Sequence, residues 1–507
     1  MIVLVHQKGK KLCSIIRNGI YLQITSNNLI SSFWKVAKDY PEELIVWVEE
    51  KFESQLSEAG FKKVFHHDLI MASYSIETTF FSDDIGYIDD FPFININREV
   101  KYPTWLMSSD LGGIKGKVAS RFLSSFDKIH NFDYLLNAIA KIGQQNGLFC
   151  YHAPQLSYQK SAGLIYRSTR SQLFRFVFQF YKKYRGGILF WCLRKYGKEN
   201  VVKQLVHLSS KSFFGLEIDF SDFKIKSSKN VQFDSIDVII PTIGRPSHLL
   251  NVLEDLKKQS FLPTKVIIVE QNPEENSKSD FDFKEEEWPF IIDHTFTRQA
   301  GACKARNLAL SRVVSDWVFL CDDDVRLQHD LLNNIIGSIE LWGADAVNLN
   351  EKNISNKYIK IKQWGAFGSG LAILKSSTIE NNLFHLSFEF GYGEDLDFGM
   401  QLRKKGIDII FMPNLEITHL KAPRGGFRQK IDKPWANANP SPKPSPTIMA
   451  YVKRNYTKKQ ILGYKTILWI KFYRAQSIKN PIRYRKEMQK RWEISETWAD
   501  KLLKANS

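Results

Sequence analysis

Three consecutive carboxylates, Asp322-Asp323-Asp324, follow directly on the apolar run Val318-Phe319-Leu320-Cys321. Such a run reads as a buried strand that delivers its acids to one end of a sheet. Three adjacent negative charges repel one another unless a cation lies among them. Hard oxygen donors suit Mg²⁺ or Mn²⁺, ions that take few carboxylates and keep positions open for phosphate oxygens. A solvated acidic loop with helix-capping aspartates would explain the triplet taken alone; the apolar strand before it favours the cation. Downstream, Gly391-Tyr392-Gly393-Glu394-Asp395-Leu396-Asp397 opens a helical stretch that ends near Gly406. Carboxylates in a first helical turn are common caps, and the same groups can accept a proton from a reacting hydroxyl. His419, in Glu416-Ile417-Thr418-His419-Leu420, is a lone imidazole and reads either as structural or as a ligand.

The elements that must carry these groups begin at Ser235. Ile236-Asp237-Val238-Ile239-Ile240-Pro241 is a buried-strand pattern, and Thr242-Ile243-Gly244-Arg245-Pro246 turns from it into a helix over 247–259. A second strand, Lys265 to Val269, ends in Glu270-Gln271-Asn272, and Gln299 to Asn307 opens a helix before the acidic strand. Polar groups at the ends of the first strands of a parallel sheet are where nucleotides bind in such folds. Gly368-Ser369-Gly370 precedes the strand Leu371 to Leu374, where glycine would admit a ligand or simply make a tight turn. A strand from Ile407 to Met412 leads towards His419, and Asn439 to Pro446, rich in Pro and Ser, reads as a linker or lid hinge.

Pro241-Thr242 with Arg245, Gly301 with Ala305-Arg306-Asn307, Phe319-Leu320 before Asp322-Asp323-Asp324, and Gly393-Glu394-Asp395 together resemble the motif series of family 2 glycosyltransferases of bacterial surface-polysaccharide type. The resemblance spans about 233–420. It implies a GT-A fold, a Rossmann-like mixed sheet with helices on both faces, and a metal-dependent, inverting transfer of sugar from a nucleotide diphosphate to a glycan hydroxyl. By the same resemblance Asp324 and His419 hold Mn²⁺ or Mg²⁺, and Asp322 holds the ribose or the metal. Asp395 is the base and Glu394 positions the acceptor. Pro241, Thr242, Arg245, Glu270, Gly301, Arg306, Asn307, Asp323 and Gly370 line the nucleotide sugar, and Arg424 and Arg428 neutralise the diphosphate. Glu270 stands where Asp is commoner; an acid there accepts the imide N–H of uracil or thymine, which points to a UDP or dTDP donor.

Charge and composition frame the rest. Of a net +17, residues 160–230 hold 15 Lys and Arg against 4 Asp and Glu, and residues 421–507 hold 21 against 5, leaving the remainder acidic. Both stretches carry aromatic clusters, Phe174 to Trp191 and Ile461 to Phe472. Basic plus aromatic suits an anionic membrane surface; nucleic acid would use the same charge, and surface helices packed on their own domain are the plain alternative. Five cysteines without ligand spacing suggest neither disulfides nor zinc. The first residues turn polar too early for a signal peptide and no run is long enough to cross a bilayer, so the expectation is a cytoplasmic enzyme, peripheral at the inner face of the membrane, acting on a lipid-linked glycan. Residues 1–159 alternate strands and helices as an α/β domain; 160–230 would be a basic connector, 231–430 the catalytic domain and 431–507 a basic helical tail. The succession of glycine loop, helix and His-bearing strand appears twice, with Gly112-Gly113, Phe132 to Gln144 and Tyr151-His152 in the first half. That half is therefore either a degenerate GT-A-like module or an unrelated α/β domain. A sugar-phosphate nucleotidylyltransferase and a non-catalytic glycan- or nucleic-acid-binding protein are the competing readings of the whole.

Overall fold

Short apolar runs alternating with amphipathic segments produce two mixed sheets, each the centre of its own unit in the computed structural model. The structure describes all residues except 25, 76–78, 160–166, 284–286, 353–359, 381, 390, 421–432 and 507. One unit comprises Met1–Lys229 with Thr457–Leu468, the other Asn230–Tyr456 with Trp469–Ser507.

In the first unit the chain runs through β1 (Ile2–Gln7), β2 (Lys11–Arg17), β3 (Ile20–Tyr21), α1 (Leu29–Asp39), β4 (Leu44–Glu49), α2 (Glu58–Val64), β5 (Ile70–Tyr74) and β6 (Tyr102–Pro103). It continues through β7 (Leu111–Lys115), α3 (Gly116–Ser120), α4 (Leu123–Phe126), α5 (Phe132–Asn146), β8 (Phe149–His152), α6 (Arg170–Phe180) and α7 (Tyr184–Lys195). The sheet order is β3-β2-β1-β4-β7-β5-β8-β6. The basic segment 160–230, expected as a connector, belongs to this unit. Its Phe174, Phe176, Phe178 and Phe180 are core: the Phe176 ring centre lies 4.3 Å from that of Phe81 and 5.4 Å from that of Trp105. Aromatic area of this size is worth most when removed from water within the unit. Tyr184 and Trp191 on α7 are about half exposed, as is Phe214.

The second unit contains β9 (Ile236–Ile243), α8 (Pro246–Lys257), β10 (Lys265–Gln271), β11 (Ile291–Thr297), α9 (Ala302–Leu310), β12 (Trp317–Cys321), β13 (Val325–Arg326) and α10 (Leu331–Trp342). Then follow β14 (Ala346–Glu351), β15 (Lys362–Gln363), β16 (Leu371–Lys375), α11 (Glu394–Lys404), β17 (Ile410–His419), α12 (Pro446–Asn455), α13 (Lys458–Arg474), whose first part falls in the other unit, and α14 (Pro481–Ala505). Strand order is β11-β10-β9-β12-β16-β14-β17-β13, with β15 also on β17. Because β9, β10, β11 and β12 are mutually parallel along this path, their carboxyl ends share one edge, and Thr242, Glu270 and the acidic triplet arrive there together. No described helix is long and apolar enough to cross a membrane. The Pro/Ser stretch is tied down rather than hinge-like. Lys443 donates its N–H to Arg491 O, Arg491 bonds Ser441, and Ser495 donates to Pro444 O, so α14 fixes the segment.

Asp237 shows how the acidic strand is held. Fully buried in β9, its carboxylate accepts from Val314 N–H (2.7 Å), Ser315 N–H (3.1 Å) and the Ser315 hydroxyl (2.7 Å), pinning the turn that enters β12. Asp237→Ala strands the two donors of buried Ser315, each costing about 1–3 kcal/mol, and frees the part-buried Val314 N–H. Urea unfolding should show a loss of more than about 2 kcal/mol.

Candidate active site

Beyond Cys321 the chain leaves the strand for a turn at Asp323-Asp324 before β13, and this turn parts the three side chains. Asp322 and Asp324 face His419, and Asp323 faces Thr242 and Arg245. Asp323 receives the Thr242 hydroxyl at 2.6 Å and Arg245 Nη1 at 2.5 Å. Burial pushes its carboxyl up to about 6 against the pull of those two donors. Asp322, Asp324 and His419 bring one ligand atom each to within 4.8 Å of one another. β13 is what places the imidazole, since Val325 pairs with His419 and Leu420 donates its N–H to Asp324 O. Arg326 and Leu327 in turn bond Asp255 of α8, fixing β13. His419 Nε2 lies 3.0 Å from Asp324 Oδ1, and that hydrogen bond raises the imidazole pKa. Its Nδ1 is 3.9 Å from Glu351, the kind of carboxylate partner that orients a ligating histidine. Arg245 also reaches Asp324, at 3.2 Å.

Around this cluster the spacing is tight. A Cβ at Gly370 would stand 2.1 Å from Asp322 Oδ2, so any other residue before β16 would displace the Asp322 carboxylate. Arg306 of α9, a buried guanidinium, holds Asp322 at 3.3 Å, while its Nε and Nη1 have no hydrogen-bond partner. The charges of Asp395 and Glu394 act on Arg306 alongside that of Asp322, which puts both acidic groups about one cation. Glu394 and Asp395 open α11. Burial first, then the Asp395 charge, pushes Glu394 up to about 7. Asp395 is also raised by burial, against Arg306 and against Ser369, which donates from its N–H and hydroxyl; Asp395 Oδ1 is buried without a partner.

Other residues chosen from sequence stand in different roles. Asn307 spends its amide on Phe384, donating to its O and accepting its N–H, both at 2.8 Å, which makes it a latch. Glu270 is covered by its own loop: the Ser279 hydroxyl (2.5 Å), Asp280 N–H (2.8 Å) and His294 Nε2 (2.9 Å) contact its carboxylate. These occupy three of its roughly four acceptor positions. Pro241 lies in β9, paired with Val269. Gly301 meets Glu389, whose Oε1 would be 2.4 Å from a Cβ there and which accepts Cys303 and Lys304 N–H at the start of α9. Arg424 and Arg428 lie outside the described residues. Sequence reasoning missed Ser369, Glu351, Glu389 and the buried Asp397, which α12 grips through Arg454 (2.9 Å) and Asn455 (2.8 Å). Of these, Asp397 carried a signal, as an acid on the apolar side of a helix.

Residues 237–365 match the family described as glycosyl transferase family 2. No curated protein matches the chain. Among solved structures, S. aureus TarS is 15% identical with a TM-score of 0.35 over 50% of this chain and 55% of that one. The TarS 1–349 complex with UDP-GlcNAc is 15% identical, TM-score 0.34, covering 54% and 82%. GalNAc-T7 with UDP, GalNAc and Mn²⁺ is 11% identical, TM-score 0.36, covering 51% and 55%. The chain thus spans about half of the longer TarS structure, and these partial overlaps add nothing to what the family match and the geometry give.

The carboxyl pair should titrate as a unit. If it must be ionised to work, turnover rises as pH climbs through about 7, the value at Glu394. Glu394→Gln removes the neighbouring negative charge, so the rising limb of the kcat–pH profile should move to lower pH; an unmoved limb would exclude the pair from the titration.

Proposed function

We propose that the second unit, which matches glycosyl transferase family 2 over residues 237–365, is a GT-A domain that transfers one sugar from a nucleotide diphosphate, UDP or dTDP in type, to a hydroxyl of a lipid-linked glycan during surface-polysaccharide synthesis. The convergence of Asp322, Asp324 and His419 with the Glu394–Asp395 pair about Arg306, at the carboxyl edge of the parallel strands, is the observation that carries this reading. Two carboxylates and an imidazole fit Mn²⁺, and Mg²⁺ with open positions left for phosphate. Bound there, the ion would act as a Lewis acid on the departing diphosphate. The chain does the rest. Asp395 accepts the proton of the acceptor hydroxyl as its oxygen attacks the anomeric carbon; the bond from that carbon to the diphosphate oxygen breaks, and the configuration inverts. Ser369 holds Asp395 in place for this. Glu394 lies beside the attacking hydroxyl, Arg306 keeps the acidic cluster from repelling the donor, and Thr242 with Arg245 anchors Asp323, which stiffens the strand end. The remaining acceptor position of Glu270 suits a single imide N–H.

Docking on an anionic membrane at the cytoplasmic face would bring the enzyme to such an acceptor. Support comes from the end of α13, the start of α14 and the connection between them, where Ile470 (51% exposed) and Ile482 (68%) are accompanied in sequence by the exposed Lys471, Arg474, Lys479, Arg483, Arg485 and Lys486. Each cation near such a surface contributes about 1 kcal/mol, screened by salt.

Assayed with Mn²⁺ against a panel of nucleotide sugars, the enzyme should hydrolyse or transfer from one of them, and Asp324→Ala should lose both turnover and metal-dependent nucleotide binding. Full activity of that variant with excess chelator would refute the metal site. Asp395→Asn should lower kcat by about 10²–10⁴ with nucleotide affinity nearly unchanged; weakened affinity with turnover retained would make Asp395 a binding residue. Co-sedimentation with vesicles should need anionic lipid and fall on added salt or on changing Arg483, Arg485 and Lys486 to Glu. Equal binding to neutral vesicles would refute the docking.

A further inference from the structure

Six strands of the first sheet, β1-β4-β7-β5-β8-β6, follow the same spatial order as β9-β12-β16-β14-β17-β15 of the second. Their pairings match one for one. β1·β4 and β9·β12 are parallel, β4·β7 and β12·β16 antiparallel, β5·β7 and β14·β16 antiparallel, β5·β8 and β14·β17 parallel, β6·β8 and β15·β17 antiparallel. The chain also visits the two sets in one sequence, and α5 and α11 occupy the same connection, between β7 and β8 and between β16 and β17.

Register makes the comparison residue by residue. Leu44 pairs with Lys115 and Val48 with Leu111, as Trp317 pairs with Lys375 and Cys321 with Leu371. Glu49-Glu50-Lys51 therefore stands where the second unit has Asp322-Asp323-Asp324, and Ser109 stands where it has Ser369. Asp133, second residue of α5, stands where α11 has Asp395. The Ser109 N–H and hydroxyl reach Asp133 at 2.8 and 3.0 Å, the contact that Ser369 makes with Asp395. Strand order could recur in unrelated α/β folds; a serine on an aspartate at the same two positions is not demanded by strand order. This register also corrects the alignment suggested by sequence. Gly112-Gly113 fall inside β7, opposite Trp47 and Val46, rather than before it, and by register His152, opposite Ser73, matches Phe411, opposite Asn348, rather than His419 at the far end of β17.

We infer that the first unit is a second copy of the transferase architecture whose donor site has been sealed, with Asp133, the counterpart of the base, turned into a structural lock, so that the chain holds a single nucleotide site. This rests on the reading of the second unit given above. Backbone, packing, hydrogen bonds and sequence each contribute to the seal. After β1 the chain turns at once through Lys8 and Gly9, both with positive φ (57° and 59°), into the antiparallel β2, so the parallel strand and helix that follow β9 have no counterpart here. A Cβ at Gly9 would lie 3.3 Å from Ser109 Oγ and 3.4 Å from Asp133 Oδ2, so the turn sits directly over the carboxylate. Glu49 is occupied by His6 Nδ1 at 3.2 Å and Lys8 N–H at 2.8 Å, while His6 Nε2 is 2.9 Å from Ser109 O. Lys51 replaces the third acid, and among the described residues no metal-binding group of acids and histidines forms in this unit.

Calorimetric titration of the full chain with UDP and, separately, dTDP in Mn²⁺ tests this directly. The wild type should bind one equivalent and Asp324→Ala none; two equivalents, or one surviving in Asp324→Ala, overturns the inference. Binding of no nucleoside diphosphate at all would refute the donor reading of the second unit while agreeing with a sealed first unit. In the transfer assay Asp133→Asn should keep kcat within about twofold, against the general-base loss at Asp395, and lower the unfolding temperature. A large loss of kcat with unchanged nucleotide affinity and unfolding temperature would give Asp133 a catalytic role. Should Asp133→Asn not fold, Glu49→Gln, at the counterpart of Asp322, reports on the same point: lost turnover in a folded variant overturns the seal.

Discussion

The partition of three adjacent carboxylates between two sets of partners, at the turn between β12 and β13, is the constraint on which the catalytic unit depends. Three acids in a row at the end of β12 would be an electrostatic liability on one face. Split two and one, they become two sites with different tasks: Asp323 is bonded into the fold by Thr242 and Arg245, and Asp322 and Asp324 are left facing His419. The strand end is thereby fixed by one acid so that the other two can be presented.

The cost of burying so much negative charge is met locally. A buried ion pair seldom gains more than its desolvation removes, whereas taking away one partner leaves an uncompensated charge. Arg245 and Arg306 are those partners here, each bonded to the triplet and each largely removed from water. The raised pKa values of Asp323, Glu394 and Asp395 show that two guanidinium groups do not fully offset the burial. A bound cation would lower this remaining strain, which couples metal binding to the stability of the site.

Much of the second unit was legible in the sequence because its information is local. β9, β10 and β12 are built on apolar runs, α11 begins at its glycine and acids, and the motif residues sit at the ends of these elements. What stayed hidden depends on contacts between residues far apart in the chain. His419 and Asp324 are 95 residues apart and meet only through β13; Asn307 finds Phe384, 77 residues on, and is a latch. Glu270 looked free because the loop that covers it does not advertise itself in pattern or charge. In the first unit the aromatic residues of α6 read as surface because charge lies beside them, yet packing against Phe81 and Trp105 claims them. The repeated architecture was suggested by order of elements but aligned on glycines and a histidine, which are weak markers; backbone register supplied the correct pairing.

We propose a catalytic metal at the end of β12, held by Asp322, Asp324 and His419. Crystals grown with Mn²⁺ and UDP and measured at the manganese absorption edge test it most directly. A single anomalous peak bonded to Asp322, Asp324 and His419, shared with the diphosphate, is expected. A peak elsewhere, above all one at Glu49 and Asp133, or an active enzyme with no peak at that site, would contradict the assignment.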